Sequence, residues 1–289
     1  MGPLARWVEA ARPKTLPASI VPVVVGTASV RGISAVRTPL ALMVAISLQL
    51  GVNFANDYFD ARSGVDKPDR MGPRRMVASG VISPHAMRMA MILALATAAA
   101  AGGALAYIVD MRLLIVGASA IVAAITYSGG PRPFGSMALG EAFVFIFFGI
   151  AATVGSAYVV GGTVPFISFV AGTGIGALAV AILVANNLRD IPSDSRAGKM
   201  TLAVRLGRGR TIAFFMACLG TSFLATILIA VMTHSRIPLI ALLALPLAVA
   251  ASRKIVLASA PREHVDVLIS TARLESVFGF LLAVGLWFR

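Results

Sequence analysis

Long apolar stretches alternate with short polar ones along nearly the whole chain, and the residues able to do chemistry gather in the polar breaks. The apolar runs approach the roughly 20 residues needed to cross a bilayer, and they leave no room between them for a soluble domain. Nine segments are predicted as spanning helices: 16–33, 39–59, 84–109, 113–128, 138–160, 165–188, 211–232, 237–252 and 265–287. The fourth and eighth are short, suited to little tilt or to partial embedding. Small residues at 98–103 and at Gly172, Gly174 and Gly176 predict close approach between helices. The expected fold class is an all-α integral membrane protein, with residues 1–289 forming one transmembrane domain.

Composition supports this: 58% of residues are hydrophobic, 13% are charged, and the mean hydropathy is +0.89. The net charge of +13 changes the picture only through its distribution. Arg6, Arg12 and Lys14 lie in the N-terminal tail, and Arg62, Lys67, Arg70, Arg74 and Arg75 follow the second segment. Arg189, Arg196, Lys199, Arg205, Arg208 and Arg210 follow the sixth, all on the same side of a nine-span arrangement. Basic loops stay in the cytoplasm, so the N-terminus is predicted there. A nucleic-acid partner is not needed to explain the charge. The opening residues lack the order of a signal peptide, and the myristoylation pattern fails at Arg6. The single cysteine, Cys218, excludes an intrachain disulfide and a cysteine metal cluster; it is expected in the core or facing lipid.

Acidic residues are scarce, and half of the twelve fall in or just after two stretches. Asn53, Asn56, Asp57 and Asp60 close the second segment, with Asp66 and Asp69 in the loop beyond. Asn186, Asn187, Arg189, Asp190 and Asp194 close the sixth. On a helix the first four fall at i, i+3, i+4 and i+7, and Asn186, Asp190 and Asp194 at i, i+4 and i+8, so each set shares a face. Pro192 is expected to distort the last turn. Carboxylate and amide oxygens without cysteine or a usable histidine suit Mg²⁺, which bridges carboxylates to phosphate. Arg62, Arg74, Arg75, Arg189, Arg196 and Lys199 flank both stretches, so the pattern reads as a metal–diphosphate site.

A plainer reading stands beside each piece. A lone helix-end aspartate is usually a cap or a solvated charge, and Asp66 and Asp69 read equally well as turn residues. Arg205, Arg208 and Arg210 read as headgroup or topology charges. Two separate Asn-led pairs of aspartates are harder to explain as unrelated caps. Glu141 and Glu275 lie within apolar segments, where acids are functional candidates by default; for Glu275 a pairing with Arg273 or a polar seam is the alternative. His85, His234 and His264 are not at metal-ligand spacing.

These motifs resemble the intramembrane aromatic prenyltransferases of the UbiA superfamily, whose hallmark is two aspartate-rich motifs on helices two and six of a nine-helix bundle. Within it the 1,4-dihydroxy-2-naphthoate polyprenyltransferase branch (MenA) is most similar. The motifs are Arg-Pro-Lys-Thr-Leu-Pro from Arg12, Asn-x-x-Asn-Asp-x-x-Asp from Asn53 and Gly-Pro-Arg-Arg-x-Val-Ala-Ser-Gly from Gly72. Tyr-Ser-Gly-Gly-Pro-Arg-Pro from Tyr127, Asn-Asn-Leu-Arg-Asp-Ile from Asn186 and Gly-Lys-x-Thr-Leu-Ala-Val-Arg-Leu-Gly from Gly198 follow in order. The ubiquinone branch usually carries a third aspartate where this chain has Gly64, which favours the naphthoate branch. The similarity fades after about residue 210.

The resemblance implies a magnesium-dependent enzyme of the bacterial cytoplasmic membrane, with its active site facing the cytoplasm. Its substrates would be polyprenyl diphosphate and 1,4-dihydroxy-2-naphthoate, and its product demethylmenaquinol or demethylmenaquinone. Asp57, Asp60, Asp190 and Asp194 would be catalytic and hold metal with Asn53. Asn53, Asn56, Arg62, Arg74, Arg75, Asn186, Asn187, Arg189 and Lys199 would bind substrate. Lys14, Tyr127 and Arg132 would hold the aromatic acid or shield the allylic cation. Phe143, Phe145, Phe147 and Phe148 suit a tail passage, although plain packing or lipid contact explains them as simply. Another branch acting on 4-hydroxybenzoate or a different acceptor is the nearest alternative. A cation-coupled transporter is the alternative of a different class, but its acids would sit at the bilayer midplane and not at segment ends.

Overall fold

The computed structural model describes residues 2–63 and 75–289. Described helices are α1 (Pro3–Ala11), α2 (Pro17–Ser29), α3 (Arg37–Arg62), α4 (Pro84–Ile108), α5 (Leu113–Thr126), α6 (Gly140–Val144), α7 (Ala152–Gly161), α8 (Phe166–Arg196), α9 (Leu202–Thr233), α10 (Leu245–Leu257) and α11 (Pro261–Phe288). A π-helical stretch, Phe145–Ala151, joins α6 to α7, and a 3-10 stretch, Ile237–Ala244, leads into α10. Among the described residues seven helical stretches are long and apolar enough to cross a membrane, and the chain is a multi-pass, all-helical membrane protein. The remaining two predicted segments are helical but short: α2 has 13 residues and α5 has 14.

Three features depart from the expected elements. The first fifteen residues carry α1 and a single 3-10 turn, Pro13–Thr15; α1 is too short for a span and presents Leu4 and Val8 outward. α9 begins nine residues before the predicted 211 but is broken at Gly207 (φ +70°, ψ 171°): a short helical stretch carrying Arg205 precedes the break, and the long helix follows it. Arg208 is more than a topology charge: its Nη2 donates to the carbonyls of Val256 (3.0 Å) and Ala258 (2.7 Å), capping α10. α8 runs through Pro192 to Arg196, so the last turn is kept.

Burial shows which helix is central. In α8, 83% of the apolar window is buried, against at most 50% in the other six spans, so α8 is enclosed by protein while the others share a lipid-facing side. One core cluster joins α2, α8, α9, α10 and α11 around Leu178, Phe215, Leu274 and Phe278. A second joins α1, α3, α4 and α5 around Phe54, Tyr58, Met87 and Leu95. The close approach predicted for small residues is seen where Gly149, in the π-helical stretch, meets α8. A Cβ on Gly149 would come 2.5 Å from the Cα of Gly176, so only glycine fits. Cys218 is in the core. At the opposite end of the bundle, Arg112 and Tyr158 bind Asp110. Tyr158 Oη donates at 2.6 Å and Arg112 Nε at 2.9 Å to Oδ2, holding the carboxyl well below its usual range, chiefly through the Arg112 hydrogen bond.

Candidate active site

The C-terminal ends of α3 and α8 meet at one cavity of about 1240 Å³, lined also by α1, α2, α4, α5 and the α6–α7 stretch. Asn53, Asn56 and Asp60 reach it from α3, and Asn186, Asn187, Arg189, Asp190 and Asp194 from α8. Lys14, Arg75, Tyr127 and Lys199 complete its polar end. Glu9, Arg12 and Gln49 also line the cavity; its apolar part extends past Ala45 and Ala41 on α3 and Val116 and Leu113 on α5. From Asp60 to Ala41 is about 28 Å of helix, close to the hydrocarbon thickness of a bilayer.

Local capping places the polar groups. Gly198, at φ +73°, ends α8 in a left-handed turn. There the Gly198 N–H donates to the Ser195 carbonyl (3.2 Å) and the Lys199 N–H to that of Asp194 (2.9 Å). The Thr201 side chain then caps α9. The Gly-Lys-x-Thr motif is therefore the hinge that swings Lys199 back over the site. Its Nζ reaches Asp60 Oδ1 at 3.1 Å, while Arg75 Nη2 holds Asp60 Oδ2 at 2.9 Å. On the other arm Arg189 grips Asp190 through Nε and Nη2, both at 2.7 Å, and Asn186 Oδ1 at 2.8 Å. Arg189 Nη1 is buried with no hydrogen-bond partner among the described residues, a donor that an anionic oxygen would satisfy.

Two residues expected as ligands have other duties. Asp57 is buried and does not line the cavity. Its oxygens accept the backbone N–H groups of Met76 (3.0 Å) and Val77 (2.9 Å), so it latches the turn after residue 75. Asn53 lines the cavity, but its amide donates to the Ala11 carbonyl at 2.8 Å and its oxygen accepts from Gln49 at 3.2 Å. It pins the N-terminal segment that carries Lys14. Arg74, Asp66 and Asp69 lie outside the described residues.

Arg132 is not at the main cavity. It lines a second chamber of about 520 Å³ with Arg62, which joins the first at Asp60, Ser128, Ser136 and Lys199. Arg62 Nη1 donates to Tyr58 Oη at 2.9 Å. Phe143, Phe147 and Phe148 line the cavity; Phe145 packs beside Gly176 instead. Glu141 is bound by Asn187, whereas Glu275 is fully buried, has no hydrogen-bond partner among the described residues on either oxygen and does not pair with the exposed Arg273. Sequence reasoning missed Ser128, whose hydroxyl donates to Asn56 Oδ1, and Gln49. Gln49 precedes Asn53 by four residues, so extending the polar face one turn inward finds it.

The donor set fits a hard divalent ion. Asp60, Asp190, Asp194, Asn56 and Asn186 line the cavity, and oxygen is the only ligating atom their side chains carry. Among the described residues no three His, Cys, Asp or Glu side chains form a cage by themselves. Magnesium asks for less, since it takes one or two carboxylates and fills its shell with water and phosphate.

Residues 19–272 match the UbiA prenyltransferase family. The chain is 40% identical, over its whole length and 99% of the relative, to the 1,4-dihydroxy-2-naphthoate octaprenyltransferase of Mycobacterium tuberculosis. It is 37% identical to the enzyme of the same name from Escherichia coli, across 97% of this chain and 94% of that one. Among solved structures, the apo form of a UbiA homologue from Aeropyrum pernix superposes with a TM-score of 0.74 at 14% identity, covering 93% and 96% of the two chains. A UbiA homologue from Archaeoglobus fulgidus bound to DMAPP and Mg2+ gives 0.64 at 18% identity, covering 96% and 99%.

Proposed function

The chain belongs to the UbiA prenyltransferase family, and from that premise we propose that it transfers a polyprenyl group from polyprenyl diphosphate to 1,4-dihydroxy-2-naphthoate. The ring loses its carboxylate as CO₂, and demethylmenaquinol is formed, a step of menaquinone biosynthesis. One observation carries the reading: a single cavity connects both acid-bearing helix ends to an apolar passage of bilayer length. The naphthoate acceptor is supported by whole-length relatives of that name.

Asp60 on one arm, with Asp190 and Asp194 on the other, would hold magnesium, with Asn56 and Asn186 as further oxygen donors. When bound, magnesium neutralises diphosphate oxygens and stabilises the charge that grows on the leaving group. Arg189 offers its unpartnered Nη1 to those oxygens, and Lys199 and Arg75 supply charge from the facing side. The apolar lining keeps water from the allylic carbon once the carbon–oxygen bond breaks. Lys14 and Tyr127, at the same polar end, are placed to hold the aromatic acid. Arg132 and Arg62 would attract it into the smaller chamber from the aqueous side.

In the proposed topology all nine apolar segments lie in a bacterial cytoplasmic membrane, and both aspartate-bearing ends face the cytoplasm, as their basic loops favour. The deciding experiment incubates purified protein with Mg²⁺ and polyprenyl diphosphate, offering dihydroxynaphthoate and 4-hydroxybenzoate in parallel. A prenylated quinol from the naphthoate alone is expected. Product from 4-hydroxybenzoate alone would reassign the acceptor.

A further inference from the structure

Glu141 takes no part in the chemistry above, yet it is an acid only 6% exposed within an apolar span. A packing role there is better served by a leucine or methionine, because an acid in this setting carries a desolvation cost that apolar contacts do not return. What it touches is specific. Asn187 Nδ2 donates to Glu141 Oε1 at 3.0 Å, and both residues are buried.

That hydrogen bond fixes more than a distance. A carboxylate only accepts, so it dictates which end of the Asn187 amide faces it: NH₂ toward Glu141, carbonyl oxygen away. No described residue donates to that oxygen, and Asn187 lines the cavity. Asn187 precedes Asp190 by three residues, which places it about 4.5 Å further toward the apolar passage along the helix axis. Beyond it on α8 the lining residues are Leu183, Ile182 and Ala179. The Asn186–Asn187 pair is thus the innermost polar group that α8 offers. A Cβ on Gly140, the residue before Glu141, would come 3.2 Å from Tyr127 Oη, so Tyr127 shares the same corner.

We propose that Glu141 is a positioning residue. It holds the Asn187 amide so that the carbonyl oxygen accepts a hydrogen bond from a hydroxyl of the aromatic acceptor and sets the ring beside the carbon that leaves the diphosphate. The inference rests on the acceptor being a hydroxylated aromatic, as proposed above. Glu141 acts only through Asn187 and touches neither substrate. A glutamine at 141 satisfies either orientation of the amide and holds it less firmly; a leucine satisfies neither.

The test is a double-mutant cycle on the full chain, with kinetics measured separately in acceptor and in prenyl diphosphate. Wild-type turnover tests the reaction itself. The inference is read as ratios to wild type with whichever aromatic acceptor the wild type uses, so the two fail separately. Glu141→Leu is expected to lower kcat/KM for the acceptor roughly 10-fold, the weight of one hydrogen bond, with KM for prenyl diphosphate unchanged. Glu141→Gln should fall between Glu141→Leu and wild type. On an Asn187→Leu background, Glu141→Leu should add nothing. A full additional loss on that background, or wild-type acceptor kinetics in Glu141→Leu, would overturn the proposal. Should Glu141→Leu fail to fold, Glu141→Gln and Asn187→Leu decide together: unchanged acceptor kinetics in both overturn the proposal.

Discussion

Lys199 Nζ sits 3.1 Å from Asp60 Oδ1, joining two helix ends whose residues are 139 positions apart in the chain. Lys199 follows α8 and Asp60 belongs to α3, so this contact makes one site of two motifs. It also leaves an ammonium beside the carboxylates, which balances their charge before any ligand arrives.

Removing that ammonium should therefore cost activity more than stability, since Lys199 is partly exposed and the pair is only modestly stabilising. Lys199→Met is expected to lower kcat about 100-fold or more, as for loss of a charge aimed at a leaving group. Lys199→Arg should retain part of it. Steady-state turnover with thermal unfolding on the same samples checks both. A large drop in Tm with turnover preserved would show that the pair serves the fold instead.

Asp57 supports a different expectation from Asp60. Taken as a ligand from sequence, it should tolerate alanine without harm to the fold, and its loss should weaken metal binding. In the structure Asp57→Ala leaves two backbone N–H groups, of Met76 and Val77, without their acceptor. Each such group costs about 1–3 kcal/mol if it stays buried. The variant is expected to lose stability and to be cut by protease near residues 75–80, and added Mg²⁺ should not restore it. An unchanged Tm with a raised Mg²⁺ requirement would return Asp57 to the ligand set.

The site's oxygen donors make metal dependence direct. EDTA should abolish turnover, and Mg²⁺ should restore it. Asp190→Asn should raise the Mg²⁺ concentration needed for half-maximal rate, because it removes the carboxylate charge and leaves Arg189 one acceptor in place of the two now held at 2.7 Å. Mg²⁺ titration of the rate in wild type and variant is the measurement; superimposable curves would remove Asp190 from the ligand set.

Much of this was legible in the chain because helical spacing is a local property. Asn53, Asn56 and Asp60 share a face by arithmetic, and Asn186, Asp190 and Asp194 do as well, so their convergence on a cavity follows once the helices pack. Gly198 and Thr201 are equally readable as the cap that ends one helix and the cap that begins the next. Asp57 was not legible, since its partners lie in a turn reached only through tertiary folding. Nor was α1, whose nine residues bounded by Pro3 and Pro13 fall below any spanning length. Arg132 was placed with Tyr127 because one motif of the resemblance carries both, yet the chain through Gly129 and Gly130 takes Arg132 to the second chamber.

The far end of the cavity allows a test of where the prenyl tail runs. Gly117 lines it on α5, and a Cβ there meets nothing within 4 Å, so a larger side chain enters open space without displacing a neighbour. Gly117 lies ten residues from Tyr127, about 15 Å along the axis from the polar end. Gly117→Phe should therefore spare donors with short tails and penalise those long enough to reach it, through KM for the donor. Glycine is a poor helix former, so the substitution should not lower helix stability. Competition between short- and long-chain prenyl diphosphates, read as the product ratio, measures the effect. A tail that instead left sideways into lipid above Gly117 would be indifferent to the added ring, and an unchanged ratio would move the passage to the α1 side of the cavity.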